Sequence, residues 1–167
     1  MTENSAPQTD NDRIFPPIQD RDGNTILDIR NYAPFLLNAV SNAWQRKTSV
    51  LYRQEFDLGI MDWRVIAMLN IEPDISAQRV CEVVRLDKAA ASRSLKGLYD
   101  RGFVAFEAAE SDPRRRSWRL TEEGLRVHNG CLAIALECEE QLIDGVAPEN
   151  LEVFLRVMRR LLANLDK

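Results

Sequence analysis

The clearest structural signal in the chain lies in residues 86–104, whose sequence is LDKAAASRSLKGLYDRGFV. Asp87 precedes a helical pattern, at the position where an aspartate side chain accepts hydrogen bonds from the first unpaired backbone N–H groups. Gly102 follows the pattern and stops it, because glycine readily adopts the backbone conformation in which helices end. A helix is therefore predicted over 88–100. Its apolar residues recur four and three positions apart, on the face that turns inward: Ala91, Leu95 and Leu98.

The neighbouring segments predict further helices before this one and a small sheet after it. A short helix capped by Ser76 is expected over 76–86, and it packs with another over 61–73. Residues 103–108 and 117–120 alternate as strands do, and the SDPR sequence at 111–114 favours a turn. Helix, helix, strand, turn and strand, in this order, are the layout of a winged helix-turn-helix. The predicted fold class is mainly α with a small β-wing.

Longer helices flank this module on both sides. A helical pattern runs from Ile26 to about Phe56, and Pro34 either kinks it or marks its true start. A fifth helix is expected from the Thr121 cap to about Ile143, and Pro148 opens a sixth. The sixth helix has an apolar stripe too wide for one small domain to cover, which favours a partner surface. The predicted organisation is a disordered arm (1–24), a winged helix-turn-helix (58–120) and a helical dimerisation region (25–57 and 121–167).

The overall composition excludes several classes of protein. The 167 residues are 45% apolar, as in a globular protein, and they contain no apolar run long enough to span a membrane. No signal sequence opens the chain, so a cytoplasmic protein with reduced thiols is expected. Three scattered cysteines and one histidine do not form a metal-site spacing, and no catalytic triad or phosphate loop is found. We therefore expect no metal, no cofactor and no enzymatic activity.

The charge is unevenly distributed along the chain. Residues 75–120 contain ten basic and six acidic residues, a local charge of +4, so the remainder holds −8 of a total of −4. A local positive field is what binding to phosphates requires, even in a protein that is acidic as a whole. The charge distribution therefore favours a nucleic-acid partner for this one segment.

The outer face of the central helix and the predicted turn have the chemistry of a DNA-binding surface. Arg93 suits a guanine edge or a phosphate, and the small Ala90 leaves room for close approach to bases and thymine methyl groups. Ser92 can donate to a phosphate or a base, whereas Lys88 and Lys96 are expected to neutralise phosphates. Three consecutive arginines at the turn suit a narrow, strongly negative minor groove: Arg114, Arg115 and Arg116.

Each of these features also has a less specific explanation. A basic helix face is often only a solvated surface, and helix caps need no functional role. A winged helix whose basic face binds an acidic protein partner, without sequence-specific DNA binding, is the alternative function. The helix pair, the caps, the strands and the arginines occur together and in the right order, and this combination favours DNA.

The motifs of the chain resemble those of MarR-type transcriptional regulators over about residues 26–166. The similar motifs are Ser92-Arg93-x-Leu95 with Leu98, Gly102-Phe103-Val104, Asp112-x-Arg114 and Leu120-Thr121-x-x-Gly124. The resemblance implies a homodimer in which the N-terminal and the two C-terminal helices interleave with those of a partner. Two winged domains then bind a pseudo-palindromic operator in double-stranded DNA. The resemblance also implies a repressor released by a small phenolic, aromatic carboxylate or coenzyme A thioester effector.

Candidates for contact with such an effector lie on the first and fifth helices: Tyr32, Asn38, Trp44, Arg46 and His128. The two aromatic residues fit a core stripe equally well, and a single histidine is more often structural than a ligand contact. Regulators of this type that sense peroxides carry a reactive cysteine near the start of the first helix, which this chain lacks. Cys81 is expected to be a small buried side chain, and Cys131 and Cys138 to pack in a dimer core.

Overall fold

The structure, a computed structural model, describes residues 13–85, 87–109 and 112–166, with side chains at all of these positions except 109 and 112–114. The chain forms two compact units, Met1–Lys47 and Thr48–Lys167. A single long helix, α1 (Ala33–Phe56), contributes residues to both. In the described part of the chain, no helix is long and apolar enough to cross a membrane.

The first unit contains a β-hairpin that the sequence patterns had not indicated. Strands β1 (Ile18–Arg21) and β2 (Asn24–Leu27) pair antiparallel, so that two residues connect them. Those residues, Asp22 and Gly23, both have positive φ, as a tight two-residue hairpin turn requires. The Asp-Gly pair is the local signal for the hairpin, but the surrounding polar composition had favoured an arm over 1–24. Residues 1–12 of that arm lie outside the described residues.

Helix α1 begins at Ala33, seven residues after the predicted start at Ile26. Pro34 is its second residue, so of the two alternatives the proline marks the true start of the helix. Proline is tolerated there because the first N–H groups of a helix have no partner within it. Just before α1, the buried carboxylate of Asp28 accepts hydrogen bonds from Gln19 and Asn31, at 2.5 and 2.8 Å.

The second unit contains the end of α1 and the predicted order of helices and strands. Its helices are α2 (Ile60–Ile71), α3 (Ala77–Val84), α4 (Lys88–Asp100), α5 (Glu122–Ile143) and α6 (Pro148–Leu165). Its strands are β3 (Ile75–Ser76), β4 (Val104–Ala109) and β5 (Asp112–Leu120). The prediction of a mainly α fold with a small β-wing is confirmed.

Three predicted caps set where helices begin. The side chains of Ser76, Asp87 and Thr121 accept hydrogen bonds from backbone N–H groups three residues ahead, at 3.1, 2.8 and 3.0 Å. Helices α3, α4 and α5 each begin at the residue after their cap. A polar cap satisfies an N–H group that the helix itself leaves unpaired, which stabilises the start by roughly 1 kcal/mol.

The sheet differs from the prediction at its turn and at one edge. Its strand order is β3-β5-β4, with antiparallel pairing on both sides. The predicted turn at 111–114 is wrong for residues 112–114, which belong to β5, while residues 110 and 111 lie outside the described residues. The pairing of β4 with β5 shifts its register between Ala108, which pairs with Arg116, and Ala109, which pairs with Asp112. Such an irregularity leaves extra residues on one strand, here β5, without a partner on the other. The two-residue strand β3 is too short to leave an alternating pattern.

One hydrophobic core holds the second unit together. It combines residues of α2, α3, α4, α5 and the sheet, including Ile66, Val80, Leu95, Trp118 and Cys131. Cys131 and Cys138 are 0% and 2% exposed in a single chain, so the expectation that they pack in a dimer core is corrected. Their burial needs no partner chain, because the small thiol side chains on α5 face inward.

Helix α6 has no buried residue, in agreement with the wide apolar stripe seen in the sequence. The large side chains that remain exposed on it are Val153, Phe154, Val157, Leu161, Leu162 and Leu165. Apolar surface of this extent on one helix is costly in water and is typical of a surface that another chain covers.

Candidate nucleic-acid interface

Helix α4 lies with one face in the core and the other in solvent. Ala91, Leu95 and Leu98 are at most 1% exposed, so they fix the helix on the rest of the unit. The opposite face is exposed at Lys88, Ser92, Arg93 and Lys96, and Ala90 is half-buried. The candidate DNA-contacting residues of this helix therefore share its outward side.

A hydrogen bond that the sequence did not reveal ties α4 to α2. The buried Ser94 hydroxyl donates to Asp62 Oδ1 at 2.5 Å, and Asp62 Oδ2 accepts the Gly59 N–H at 3.1 Å. Ser94 lies on the inward face beside Arg93, so this bond helps to set the rotation of α4 about its axis. Ser94 and Asp62 are 32 positions apart, and no local pattern links them.

An aromatic cluster fixes the wing against α4. Tyr99 of α4 lies 5.1 Å from Phe106 of β4 and 6.2 Å from Trp118 of β5, between ring centroids. The Phe106 and Trp118 rings are 5.0 Å apart. Because tilted and edge-on aromatic pairs pack favourably, the sheet and the helix are joined through these three rings.

Helix α4 and the wing, together with the start of α3, line an open cleft of about 1290 Å³. Its apolar lining includes Tyr99, Phe106 and Trp118. Its polar lining includes Ser92 and Lys96 from α4 and Arg115 and Arg116 from β5. The guanidinium of Arg116 lies 4.1 Å above the Phe106 ring, which holds this cation within the cleft. Residues predicted from two separate motifs are thus brought to one concave surface.

Ion pairs divide the basic residues into two groups. Arg79 is paired with Glu72 and Glu82, Arg85 with Asp166, and Arg119 with Asp74 and Glu107. Side-chain hydrogen bonds from these arginines to their carboxylate partners raise the pKa of each guanidinium. Lys96 is paired with Asp100 at 2.5 Å. Within the described ranges, no ion pair is found for five further cations of the segment 75–120: Lys88, Arg93, Arg101, Arg115 and Arg116.

The third arginine of the predicted turn, Arg114, lies on β5, but its side chain lies outside the described residues. The expectation that Arg114 contacts the minor groove stays a prediction. Of the three consecutive arginines, the structure describes the side chains of Arg115 and Arg116, and both are exposed.

The effector candidates are divided between the two units. Tyr32, Asn38, Trp44 and Arg46 lie in the first unit, where Tyr32 and Trp44 are half-buried and Asn38 and Arg46 are exposed. His128 lies in the second unit and is 6% exposed. Its ring packs 5.6 Å from the Trp63 ring, and its Nδ1 lies 3.0 Å from Asn129 Oδ1. These contacts are those of a packed structural histidine.

Buried ionisable groups on α1 and α5 predict a loss of stability at alkaline pH. Burial raises the pKa of the Cys131 thiol from 9.0 to about 11. Burial, together with charge on Cys131 and Cys138, raises the pKa of Tyr52 from 10.0 to about 12. Because both groups ionise more easily in the unfolded chain, their contribution is complete below pH 9 and decreases as the pH rises towards 12.

We expect urea denaturation to give a constant free energy of unfolding from pH 7 to 8.5 and a falling one above pH 9. Replacement of Cys131 by alanine should remove part of the fall between pH 9 and 11, whatever its effect on stability at pH 7. A free energy that stays level to pH 11 in the native sequence would contradict this prediction.

Comparison with known proteins agrees with the fold. Residues 56–115 match the model of the MarR family. The transcriptional regulator HosA of Escherichia coli O127:H6 is 25% identical over 136 residues, which cover 81% of this chain and 98% of HosA. A MarR/EmrR family transcriptional regulator from Acinetobacter sp. ADP1 is 28% identical, with a TM-score of 0.77, over 84% of this chain and 99% of that one.

Two similar structures hold bound partners. PcaV from Streptomyces coelicolor, in complex with its natural ligand, has a TM-score of 0.71 at 24% identity, over 83% of this chain and 96% of PcaV. A mutant MarR from Escherichia coli, complexed with operator DNA, has a TM-score of 0.68 at 18% identity, over 76% of this chain and 91% of that one. At these identities the likeness shows the shared fold.

An exposed basic helix beside a β-wing is the arrangement of a winged helix-turn-helix. The family match covers that helix and the first residues of the wing's return strand, and it extends back to the end of α1. The chain is thus similar, over most of its length, to transcriptional regulators of the MarR type.

Proposed function

We propose that the chain is a homodimeric, cytoplasmic repressor that binds a pseudo-palindromic operator and is released by a small aromatic effector. The observation that carries the DNA-binding part is the cleft, which places Ser92 and Lys96 of α4 beside Arg115 and Arg116 of the wing. A recognition helix in the major groove and a basic hairpin beside it contact one stretch of duplex together.

The candidate residues have separate roles in this complex. Arg93 and Ala90 lie towards the bases, where a forked guanidinium and a small side chain allow readout of base edges. Lys88, Ser92 and Lys96 contact phosphates, and the three wing arginines contact the backbone or the minor groove. Lys96 must exchange its pairing with Asp100 for a phosphate, a small cost because exposed ion pairs contribute little stability.

The homodimer is supported by the apolar surface that a single chain leaves exposed. The stripe on α6 is accompanied by exposed Leu132, Leu136 and Leu142 on α5. A symmetric pair of chains covers such surfaces and places two copies of α4 on one duplex, one per half-site.

The effector is proposed to be a phenol, an aromatic carboxylate or a coenzyme A thioester, with contacts drawn from Tyr32, Asn38, Trp44, Arg46 and His128. The ligand complex of PcaV supports a small-molecule effector in a protein of the same fold. Burial of His128 against Trp63 makes it the weakest of the five candidates. An effector releases the protein only if it binds better to a dimer geometry that no longer fits the operator.

A mobility shift with the duplex adjoining the protein's own gene tests this proposal. We expect a shift that weakens with salt, with a slope of log K against log[salt] of about −5, as for roughly three phosphates neutralised by each protomer. Aromatic carboxylates and their thioesters, added as a panel, should reverse the shift for at least one compound. A protein that ignores the duplex at low salt, or binds every sequence equally, would instead favour the protein-interaction alternative.

A further inference from the structure

The recognition helix α4 ends in a joint, residues 101–103, whose backbone conformation is fixed by hydrogen bonds. Gly102 has φ +76°, its N–H donates to the Tyr99 carbonyl at 2.9 Å, and the Phe103 N–H donates to the Leu98 carbonyl at 3.0 Å. These two bonds form the closed helix end that a left-handed glycine makes. The direction in which the chain leaves α4 is therefore fixed within two residues.

Arg101 connects this joint to the end of α1. Its two terminal guanidinium nitrogens donate to the carbonyl oxygens of Asp57 and Phe56, at 2.8 and 2.7 Å. The guanidinium carbon lies 4.6 Å from the centre of the Phe103 ring, a cation–π contact that also helps to hold the side chain in place. Carbonyl groups at the end of a helix carry partial negative charge and lack helical partners, so a forked cation binds them well.

The same joint is connected to the start of α5. Thr121 Oγ1 donates to the Gly102 carbonyl at 2.7 Å, and the Thr121 N–H donates to the Phe103 carbonyl at 3.0 Å. At Gly124 the helix backbone packs directly on Phe103, and at Gly130 it packs on the ring of Phe56. Residues 101–103 thus hold the ends of α1, α4 and α5 at one point.

We propose that Arg101 is a positioning residue that sets the angle of the recognition helix relative to α1 and α5, and so the half-site spacing that the dimer accepts. This inference rests on the proposed DNA-binding dimer. Arg101 was counted among the basic residues of the DNA-binding segment, yet its guanidinium is engaged with backbone carbonyls 44 and 45 positions earlier in the chain. It acts on DNA through α4 and makes no contact with DNA itself.

The physical basis is that one planar guanidinium bonds two adjacent carbonyl groups and so fixes the end of α1 to the end of α4. Without the guanidinium, the Phe56 and Asp57 carbonyls at this exposed site can be hydrated, so the protein still folds. What is lost is the geometric constraint, because water does not hold two helix ends at a fixed separation. Lysine cannot replace it, since one ammonium group lacks the fork that reaches both carbonyls.

The test measures tolerance to half-site spacing in the full-length protein. The affinity of the native sequence, Arg101→Ala and Arg101→Lys is measured on the operator selected by the native protein. The same measurement is made on that operator with one or two base pairs inserted at its centre, and on a single half-site. Arg119→Ala serves as the matched control. Arg119 is also a surface arginine, but it pairs with Glu107 of β4 and with Asp74, which lies just before β3.

We expect two inserted base pairs to weaken binding of the native protein and Arg119→Ala at least tenfold, since the half-sites rotate away from each other on the duplex. For Arg101→Ala and Arg101→Lys the loss should be threefold or less, with half-site affinity unchanged. An equal insertion penalty in all four proteins would overturn the role of Arg101 and leave the proposed function intact. If the two Arg101 variants bound every duplex more weakly by the same factor, Arg101 would be a DNA contact. That result would also overturn its role as a positioning residue. A native protein without any spacing preference would overturn both proposals.

Discussion

Replacement of Gly124 by alanine is expected to destabilise the protein by about 3 kcal/mol, because the added methyl group overlaps backbone atoms that have no room to move. A Cβ at this position overlaps the Phe103 carbonyl oxygen and lies 2.9 Å from the carbonyl carbon. The Phe103 backbone is already held by its bonds to Leu98 and Thr121. Relief of the overlap therefore requires α5 to shift away from the joint.

The measurement is thermal and urea denaturation followed by circular dichroism. For a chain of this size, a loss of about 3 kcal/mol lowers Tm by roughly 6–12 °C. Gly97→Ala is the matched control, since a Cβ there meets no atom within 4 Å beyond its chain neighbours and the nearby backbone of α4 itself. Alanine should raise the stability of α4 by about 0.5–1 kcal/mol at that position. A Gly124→Ala protein as stable as the native one would show that α5 is not pressed against Phe103.

Replacement of Arg93 by glutamate is expected to reduce operator affinity by at least a hundredfold. The change removes a cation from the exposed face of α4 and places an anion against the negatively charged duplex, twice in a dimer. Each protomer loses a contact of roughly 1–3 kcal/mol and gains a repulsion, so the two effects multiply across the half-sites. Because Arg93 is exposed and has no described ion pair, the fold should be unaffected.

Quantitative mobility shifts or fluorescence anisotropy give the affinity, and circular dichroism confirms the fold. Arg93→Lys separates the two roles of the side chain: it keeps the charge but loses the fork that bonds two acceptors of a guanine. A base-reading Arg93 predicts that the lysine variant loses discrimination between operator and random DNA but keeps its affinity for random DNA. If Arg93→Glu binds the operator within threefold of the native protein, α4 is not the recognition helix.

The sequence predicted best what is determined by neighbours along the chain. Ser76, Asp87 and Thr121 cap helices within three residues, so α3, α4 and α5 begin where expected. The Asp22-Gly23 turn is equally local, and its hairpin was missed because polar residues on both sides hid the signal. The start of α1 was ambiguous since a proline fits a kink and a first turn alike.

What the sequence did not predict depends on contacts between distant segments. The bond from Ser94 to Asp62 and the bonds from Arg101 to Phe56 and Asp57 join residues 32 to 45 positions apart. A charge count also treats all arginines alike, whereas Arg79, Arg85 and Arg119 are occupied by carboxylates of the same chain. Only the folded arrangement separates the arginines that are paired with carboxylates from those that are not, within the described residues.

The joint between α4 and α5 has a practical consequence for exchanging specificity between regulators. A graft limited to the recognition helix and wing would separate Arg101 from the carbonyls it binds, or Phe103 from the glycine that accommodates it. Residues 101–103, residues 121–124 and the final turn of α1 therefore form one structural unit. Chimeras that transfer these pieces together should retain the donor's operator preference, whereas chimeras that split them should fold with the new helix at the wrong tilt.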